Sequence, residues 1–333
     1  MPYLCVNEIK SVSLHVKMKK SLFAIFLLLA VAVSVKAQES QTAYDFLRLP
    51  VSAHAAALGG DNVTLIEDDA ALTLHNPALL SSVSDKTIGL GFMTYMEGAR
   101  MASATFSSTA GEKASWGVSA QYADYGKMKE MDENNRQTGE FSAKDIAVAG
   151  TFSYQLSERI VGGITARMVN SYIGNYSSLA MGVDLGVNYY DPTREWSISA
   201  VARNLGGQLK AFDDHYDKMP IDLQAGVSKR VTNAPFRLSA TLVDLTHWDY
   251  RFIDHLVGGV DILLSQTIWI GAGYNFRRAR EMTLLSGTDE ESSHGAGLSL
   301  GAGLQLERFK LNLAYGKYHI SSHSLIINLA FQL

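Results

Sequence analysis

Ser324-Leu-Ile-Ile-Asn-Leu-Ala-Phe-Gln-Leu333 closes the sequence as an alternating strand. Leu325, Ile327, Leu329, Phe331 and Leu333 fall on one face, and Ser324, Ile326, Asn328, Ala330 and Gln332 on the other. Side chains alternate across a strand, so one face is large and apolar and the other mostly small or polar. A soluble sheet can show the same alternation. A last strand with an apolar, aromatic-bearing face is also how a barrel in lipid meets its first strand, because in lipid no strand edge stays unpaired.

The same dyad pattern recurs along the chain. Ala114, Trp116, Val118, Ala120 and Tyr122 oppose Ser115, Gly117, Ser119 and Gln121. Ile146, Val148, Phe152 and Tyr154 oppose Asp145, Ala147, Ala149, Thr151 and Ser153. Segments of about ten residues with this period, bounded by turn residues, are the signature of a membrane barrel. Strand centres fall at Leu90, Ala104, Val118, Val148, Ile164, Val183, Ala200, Ala225, Ala240, Val260, Ala272, Leu300, Leu313 and Leu329. The chain is therefore read as all-β, a transmembrane antiparallel β-barrel of about 14 strands, with Leu329 pairing the strand around Leu90.

Connection lengths sort independently of the alternation. One set of turns is tight: Thr109–Glu112, Gln155–Glu158, Asp191–Glu195, Val231–Pro235, Ser265–Gln266 and Glu307–Arg308. The other set contains Asp124–Phe141, Leu205–Met219 and Arg277–His294, which are long, charged and Gly-bearing. Short periplasmic turns and long outer loops are the barrel rule. Trp116, Tyr122, Tyr154, Tyr189, Trp196, Trp269, Tyr274 and Tyr315 suit interfacial girdles. A soluble sandwich covers its outer face with charge, whereas here the non-apolar faces carry mostly Gly, Ala, Ser, Asn and Gln, which suits a crowded lumen.

The front of the chain predicts export. Met18-Lys19-Lys20 is followed by an apolar run from Leu22 to Val33 and by the small residues Val35 and Ala37 at a cleavage position. That run is too short to span a bilayer and suits a signal peptide over 18–37. Residues 1–17 fit no signal pattern and read as a mis-assigned start. The lone cysteine, Cys5, lies in that stretch, so no disulfide framework or thiolate chemistry is expected after cleavage. Of 29 basic and 33 acidic residues, five and one lie before Gln38, leaving a net charge of −8. This acidic balance argues against nucleic acid as a partner.

Residues 38–85 do not alternate; the barrel occupies 86–333. Tyr44 to Gly60 reads as an extended piece and a short Ala-rich helix stopped at Gly59-Gly60. Asn76 before Pro77 predicts a turn and a helical start. A stretch of this length before the first strand is expected to sit in the lumen as an N-terminal hatch or plug. Its motifs, Leu49-Pro50-Val51-Ser52-Ala53 with Ala55 to Leu58-Gly59-Gly60, and Asn76-Pro77-Ala78, resemble the N-terminal region of the PorV/PorQ family of Bacteroidetes outer-membrane proteins, related to the fatty-acid transporter barrels. The short length and the Phe46-Leu47-Arg48-Leu49-Pro50 lead-in set it nearest the PorQ branch. The resemblance implies an outer-membrane component of the type IX secretion system. Such a component is non-enzymatic and anchors a surface-exposed, PorZ-like partner through its outer loops, in a complex that links secreted proteins to lipopolysaccharide. The alternative is a transporter of hydrophobic small molecules such as long-chain fatty acids. That function needs an apolar lumen pocket and a lateral opening, and the scarcity of large apolar residues on the inner rows counts against it.

Other chemistry is weakly signalled. Gly297-Leu298-Ser299-Leu300-Gly301 matches a nucleophile elbow, but sits inside an alternating strand, where the sharp turn an elbow needs is missing. His319 and His323 read as sharing one strand face about 13 Å apart, too far for one metal. Asp213–Asp217 and Asp289–Glu291 lack a calcium-loop spacing and read as solvated loop charge. No catalytic, cofactor or metal residue is assigned. The lumen row contains Asp145, Arg159, Arg167, Asp184, Arg203, Asp222, Arg237 and Asp261. Mixed charges there either cross-link a filled lumen or line a path; the presence of both signs favours internal salt bridges.

Overall fold

The computed structural model describes residues 42–333 apart from 135, 266, 283, 286–290, 293–294 and 320–321. The expected leader over 18–37 and the stretch 1–17 lie outside the described residues. Seven strands come first: β1 (Thr87–Thr94), β2 (Arg100–Ala110), β3 (Ala114–Met131), β4 (Gln137–Ser157), β5 (Ile160–Ile173), β6 (Tyr176–Asp191) and β7 (Trp196–Lys210). Then follow β8 (Asp222–Arg230), β9 (Phe236–Leu242), β10 (Leu256–Leu263) and β11 (Ile268–Asn275). Two short strands, β12 (Leu284–Leu285) and β13 (Glu291–Ser292), precede β14 (Leu298–Gln305), β15 (Phe309–His319) and β16 (Ser322–Gln332). Two α-helices are present among the described residues, α1 (Ala53–Ala57) and α2 (Phe276–Glu281).

Fourteen of these strands form one closed antiparallel ring, with β12 and β13 paired apart from it. Each expected strand centre lies in its own ring strand. The ring closes between β1 and β16, with Leu90 opposite Leu329, and the Leu333 amide donates to the Lys86 carbonyl at 3.1 Å. Alternation translates directly into facing. On β4, Ile146, Val148, Phe152 and Tyr154 are exposed, while Asp145, Ala147, Thr151 and Ser153 are buried. Most ring strands carry exposed apolar side chains on this outward row, a surface suited to lipid rather than water.

The connections depart from expectation in four places. Asp124–Phe141 is mostly hairpin: β3 runs to Met131 and β4 starts at Gln137, with Met128 opposite Phe141 and Glu130 opposite Gly139. Charged Lys127, Lys129 and Glu130 share the extension with Met128 and Met131, so neither face is uniformly apolar although the ladder continues. Leu205–Met219 likewise opens with strand, since β7 continues to Lys210, and Arg277–His294 opens within α2. The connection from Val243 to His255, ending in a 3₁₀ turn over Phe252–His255, is long and is not among the long loops named from the sequence.

Residues 42–85 run against the inward faces of the ring. The segment is built of 3₁₀ turns (Asp45–Arg48, Ala70–Leu74, Pro77–Ser82) and α1. Its caps follow from sequence: Asp69 accepts from the Ala71 amide at 2.9 Å, and Asn76 from the Ala78 amide at 3.0 Å, with Pro77 opening the last turn. Gly59 and Gly60 hold φ of 104° and 108°, and their amides return to Ala56 and Ala55 in a Schellman closure. Wall glycines receive this backbone. A methyl on Gly163 would overlap the Pro77–Ala78 peptide, and one on Gly273 the Leu58–Gly59 peptide.

Candidate functional site

The inner segment is tied to the wall around most of the ring. Ala53 donates its amide to Asn328 Oδ1, and Asn328 Nδ2 donates to the Val51 carbonyl at 3.0 Å. The Gly59 carbonyl accepts from Arg278 Nη1 at 3.2 Å and from Asn275 Nδ2 at 3.4 Å. Arg203 Nη2 donates to the Leu47 carbonyl at 3.0 Å, and Lys310 Nζ to the Asp68 carbonyl at 2.7 Å. Of the motif residues, Leu49 and Pro50 lead into α1, Ala53 and Leu58 bracket it, Gly59-Gly60 terminate it, and Asn76-Pro77-Ala78 form the lower seat against Gly163 and Gly186.

The lumen charges are paired rather than arrayed along a path. Arg167 Nη2 bonds Asp184 at 2.7 Å, both buried. Arg237 Nε bonds Asp261 at 2.8 Å and its Nη1 meets Glu67 of the inner segment. His54 Nε2 stands 3.0 Å from Asp261 Oδ1. Asp145 accepts from Tyr125 Oη at 2.7 Å; Asp222 accepts from the Asp244 amide at 2.7 Å and from Gln224 Nε2 at 2.6 Å. Arg159 is the exception. It sits in the β4–β5 turn, half-exposed, bonded to Asp191 at 3.1 Å, because the strand ladder stops before it turns a side chain inward. His75 is held neutral: burial, then Arg203, lowers it to about 3. Its Nε2 faces the Val51 and Ser52 amides at 3.3 and 3.4 Å.

Trp269, expected in a girdle, points inward and is buried. Its neighbours Ile268 and Ile270 are also apolar, so parity could not be read from residue type. Ser299 is buried within β14 and accepts from Arg278 Nη2 at 2.6 Å, without an elbow. His319 and His323 lie on different strands, β15 and β16, since the chain reverses between them.

The apolar feature of the interior was not legible as a pocket. Tyr44, Phe46 and Leu47 pack against Ala123, Ala147, Val169, Ala180 and Met219. Four small inward residues on successive strands thus make an apolar lining, and the inner segment fills it. The only available signal was the matched position of Ala123, Ala147, Val169 and Ala180 across four strands.

Beside this cluster the wall is incomplete. β7 pairs with β6 as far as Lys210, but with β8 only from Trp196 to Arg203. Gly206 and Gly207 are exposed there. A bulge marks the site: the β6–β7 register shifts between Val183 and Leu185, and Asn204 holds φ 57°. Arg167 donates to Asn204 Oδ1 at 2.6 Å, the Asn204 amide donates to Asp184 at 2.7 Å, and Asn204 Nδ2 donates to the Pro220 carbonyl at 3.0 Å. Behind the free edge, Gln208 Nε2 donates to Tyr44 Oη at 3.0 Å.

Fold comparison sets this barrel beside solved outer-membrane barrels. The Ralstonia pickettii toluene transporter TbuX superposes with a TM-score of 0.55 at 12% identity, covering 86% of this chain and 98% of that one. The CymD monoaromatic hydrocarbon channel gives 0.55 at 14% identity, covering 85% and 97%. A Pseudomonas aeruginosa FadL homologue gives 0.51 at 10% identity, covering 83% and 97%. No family model and no curated protein matches the sequence. The likeness is one of fold: a closed 14-stranded barrel of the outer-membrane type.

Proposed function

We propose that this chain is an outer-membrane conduit for small hydrophobic molecules, and that residues 38–85 act as its hatch. The observation that carries the reading is the apolar cluster around Phe46 lying next to the outer part of β7, whose edge toward β8 has no ladder beyond Arg203. An apolar solute seated there would leave water on one side and reach lipid through the wall on the other, without crossing the charged pairs further in. The Arg167–Asp184 and Arg237–Asp261 ion pairs, with the hydrogen bonds of Asp145, Arg203 and Asp222, then hold the hatch and wall in register. The similar barrels described as toluene, hydrocarbon or FadL-type proteins favour the same reading. Uptake of radiolabelled toluene and of a long-chain fatty acid tests it, in cells with and without the chain. Equal uptake of both in the two strains rejects it.

A second reading follows from the β3–β4 hairpin. β4 has 21 residues, which at ~3.3 Å each and a tilt of about 40° climb roughly 53 Å, against an apolar band of ~25 Å. Its tip carries exposed Lys127, Lys129, Glu130, Glu133, Arg136 and Glu140. A polar hairpin standing that far above lipid suits a surface partner, in keeping with a PorZ-like anchor of a type IX complex at the lipopolysaccharide layer. Co-purification from detergent with and without residues 128–139 separates the readings. Recovery of no surface protein in either case removes the anchor.

A further inference from the structure

The shortest strand of the ring is β9, with 7 residues, and its neighbours β8, β10 and β11 have only 9, 8 and 8. The seven residues of β9, at ~3.3 Å and about 40° of tilt, climb roughly 18 Å, short of the ~25 Å apolar band of a membrane barrel. On β9 and β11 the outward residues Phe236, Leu238, Ile268 and Ile270 are exposed apolar side chains. Lipid on this side therefore extends above the strands and meets whatever stands on them, which is the connection Val243–His255.

That connection is built inside out relative to an aqueous loop. Three of its polar groups are buried: Asp244, Asp254 and His255 are at most 2% exposed. Its large apolar groups face outward: Trp248 is 68%, Phe252 65% and Ile253 40% exposed. Backbone at membrane depth must have its polar groups satisfied within the protein, and here many are. The Val243 amide donates to the His255 carbonyl, Leu245 to Leu223, His247 to Asp244 and Asp254 to Arg251, at 2.8–3.1 Å. The Asp244 amide donates to Asp222 Oδ1 at 2.7 Å, and the Arg251 amide to Asp254 Oδ2 at 3.2 Å. His255 Nδ1 meets the Val243 carbonyl at 2.8 Å. α2 locks the inner side, with the Arg277 guanidinium 4.5 Å over the Tyr250 ring and bonded to Asp244.

We propose that Val243–His255 is a lipid-embedded part of the wall, with Trp248, Phe252 and Ile253 continuing the apolar belt over β8–β11 into the outer leaflet. The exposed charges Asp249 and Arg251 then mark headgroup level. Arg251 reaches it along its aliphatic stem, and Asp249, being short, must itself lie there.

Site-directed spin labelling in lipid vesicles tests this on the full chain, with Cys5 replaced by serine. Labels are placed on Trp248→Cys, Asp249→Cys and Phe252→Cys. Leu238→Cys serves as the lipid reference, and Tyr216→Cys, in the acidic β7–β8 connection, as the aqueous one. Labels at 248 and 252 are expected to favour oxygen over a water-soluble nickel chelate as Leu238 does, several-fold above Tyr216, with 249 shallower than 252. Accessibility at 248 and 252 matching Tyr216 overturns the proposal. Should a labelled variant not fold, brominated-lipid quenching of the wild type is compared with Trp248→Phe. Loss of a quenched emission component supports the proposal, and an identical quenched fraction overturns it.

Discussion

The imidazole of His54 lies flat on the indole of Trp269, ring centroids 3.6 Å apart and planes 6° from parallel. One ring belongs to the inner segment and the other to β11, so this stack is a seat for the segment against the wall. Replacing Trp269 with alanine removes the seat and leaves a cavity beside a buried imidazole. The expected loss is about 3–5 kcal/mol of stability, read as a lowered urea midpoint of the detergent-folded barrel. His54→Phe keeps a flat ring there and is expected to lose less, since Arg237 still neutralises Asp261.

The pair that His54 leans on is the next target. Arg237 joins Asp261 of β10 to Glu67 of the inner segment. Arg237→Met strands two carboxylates in the lumen, and breaking a buried pair from one side costs about 3–5 kcal/mol. Arg237→Met with Asp261→Leu removes the pair together and is expected to recover part of that loss. A double-mutant cycle in urea measures the coupling; additive losses would contradict an ion pair acting as a unit.

Gly273 is argued from space. A methyl there overlaps the Leu58–Gly59 peptide, whereas one at Gly150 meets nothing within 4 Å. Gly273→Ala is expected to push α1 off the wall at a cost of about 1–3 kcal/mol. It should speed proteolysis within residues 42–85 and raise ion leak across planar bilayers. Gly150→Ala should leave both unchanged. A quiet Gly273→Ala would mean that the inner segment yields without opening.

The barrel was legible because lipid imposes a strict period: every strand from Leu90 to Leu329 alternates against a solvent that rejects polar side chains. Legibility failed where that solvent changes. Above the membrane, Lys127–Glu140 carries charge on both faces, so its ladder looked like loop. At Trp269 both faces are apolar, so inside and outside were exchanged. The apolar interior was missed because its lining is alanine and valine and its bulk, Phe46 and Tyr44, arrives from a segment more than seventy positions before β3's Ala123. Asp145, Arg167, Asp184 and Asp261 are buried, and their partners depend on tertiary registers that no local pattern encodes.

Acidification provides the remaining test, at Asp61. Burial first, then the Asp222 carboxylate, raise its pKa from the ordinary 3.8 to about 6, against the lowering pull of Arg203, Arg278 and Arg48. Its Oδ2 accepts only a long bond, 3.3 Å, from Asn275 Nδ2. Because the folded pKa lies above the unfolded one, the native state takes up a proton between about pH 6 and 4 that the unfolded chain does not. The cost of the charge is therefore present in full above about pH 6 and disappears as pH falls toward 4. Asp61→Asn carries no charge at either end, so it is expected to exceed wild type in urea midpoint near neutrality and to converge with it by about pH 4. Comparing variant with wild type at each pH cancels the titration of the other carboxylates. A gap that stays constant across that range would show that Asp61 folds with an ordinary carboxyl.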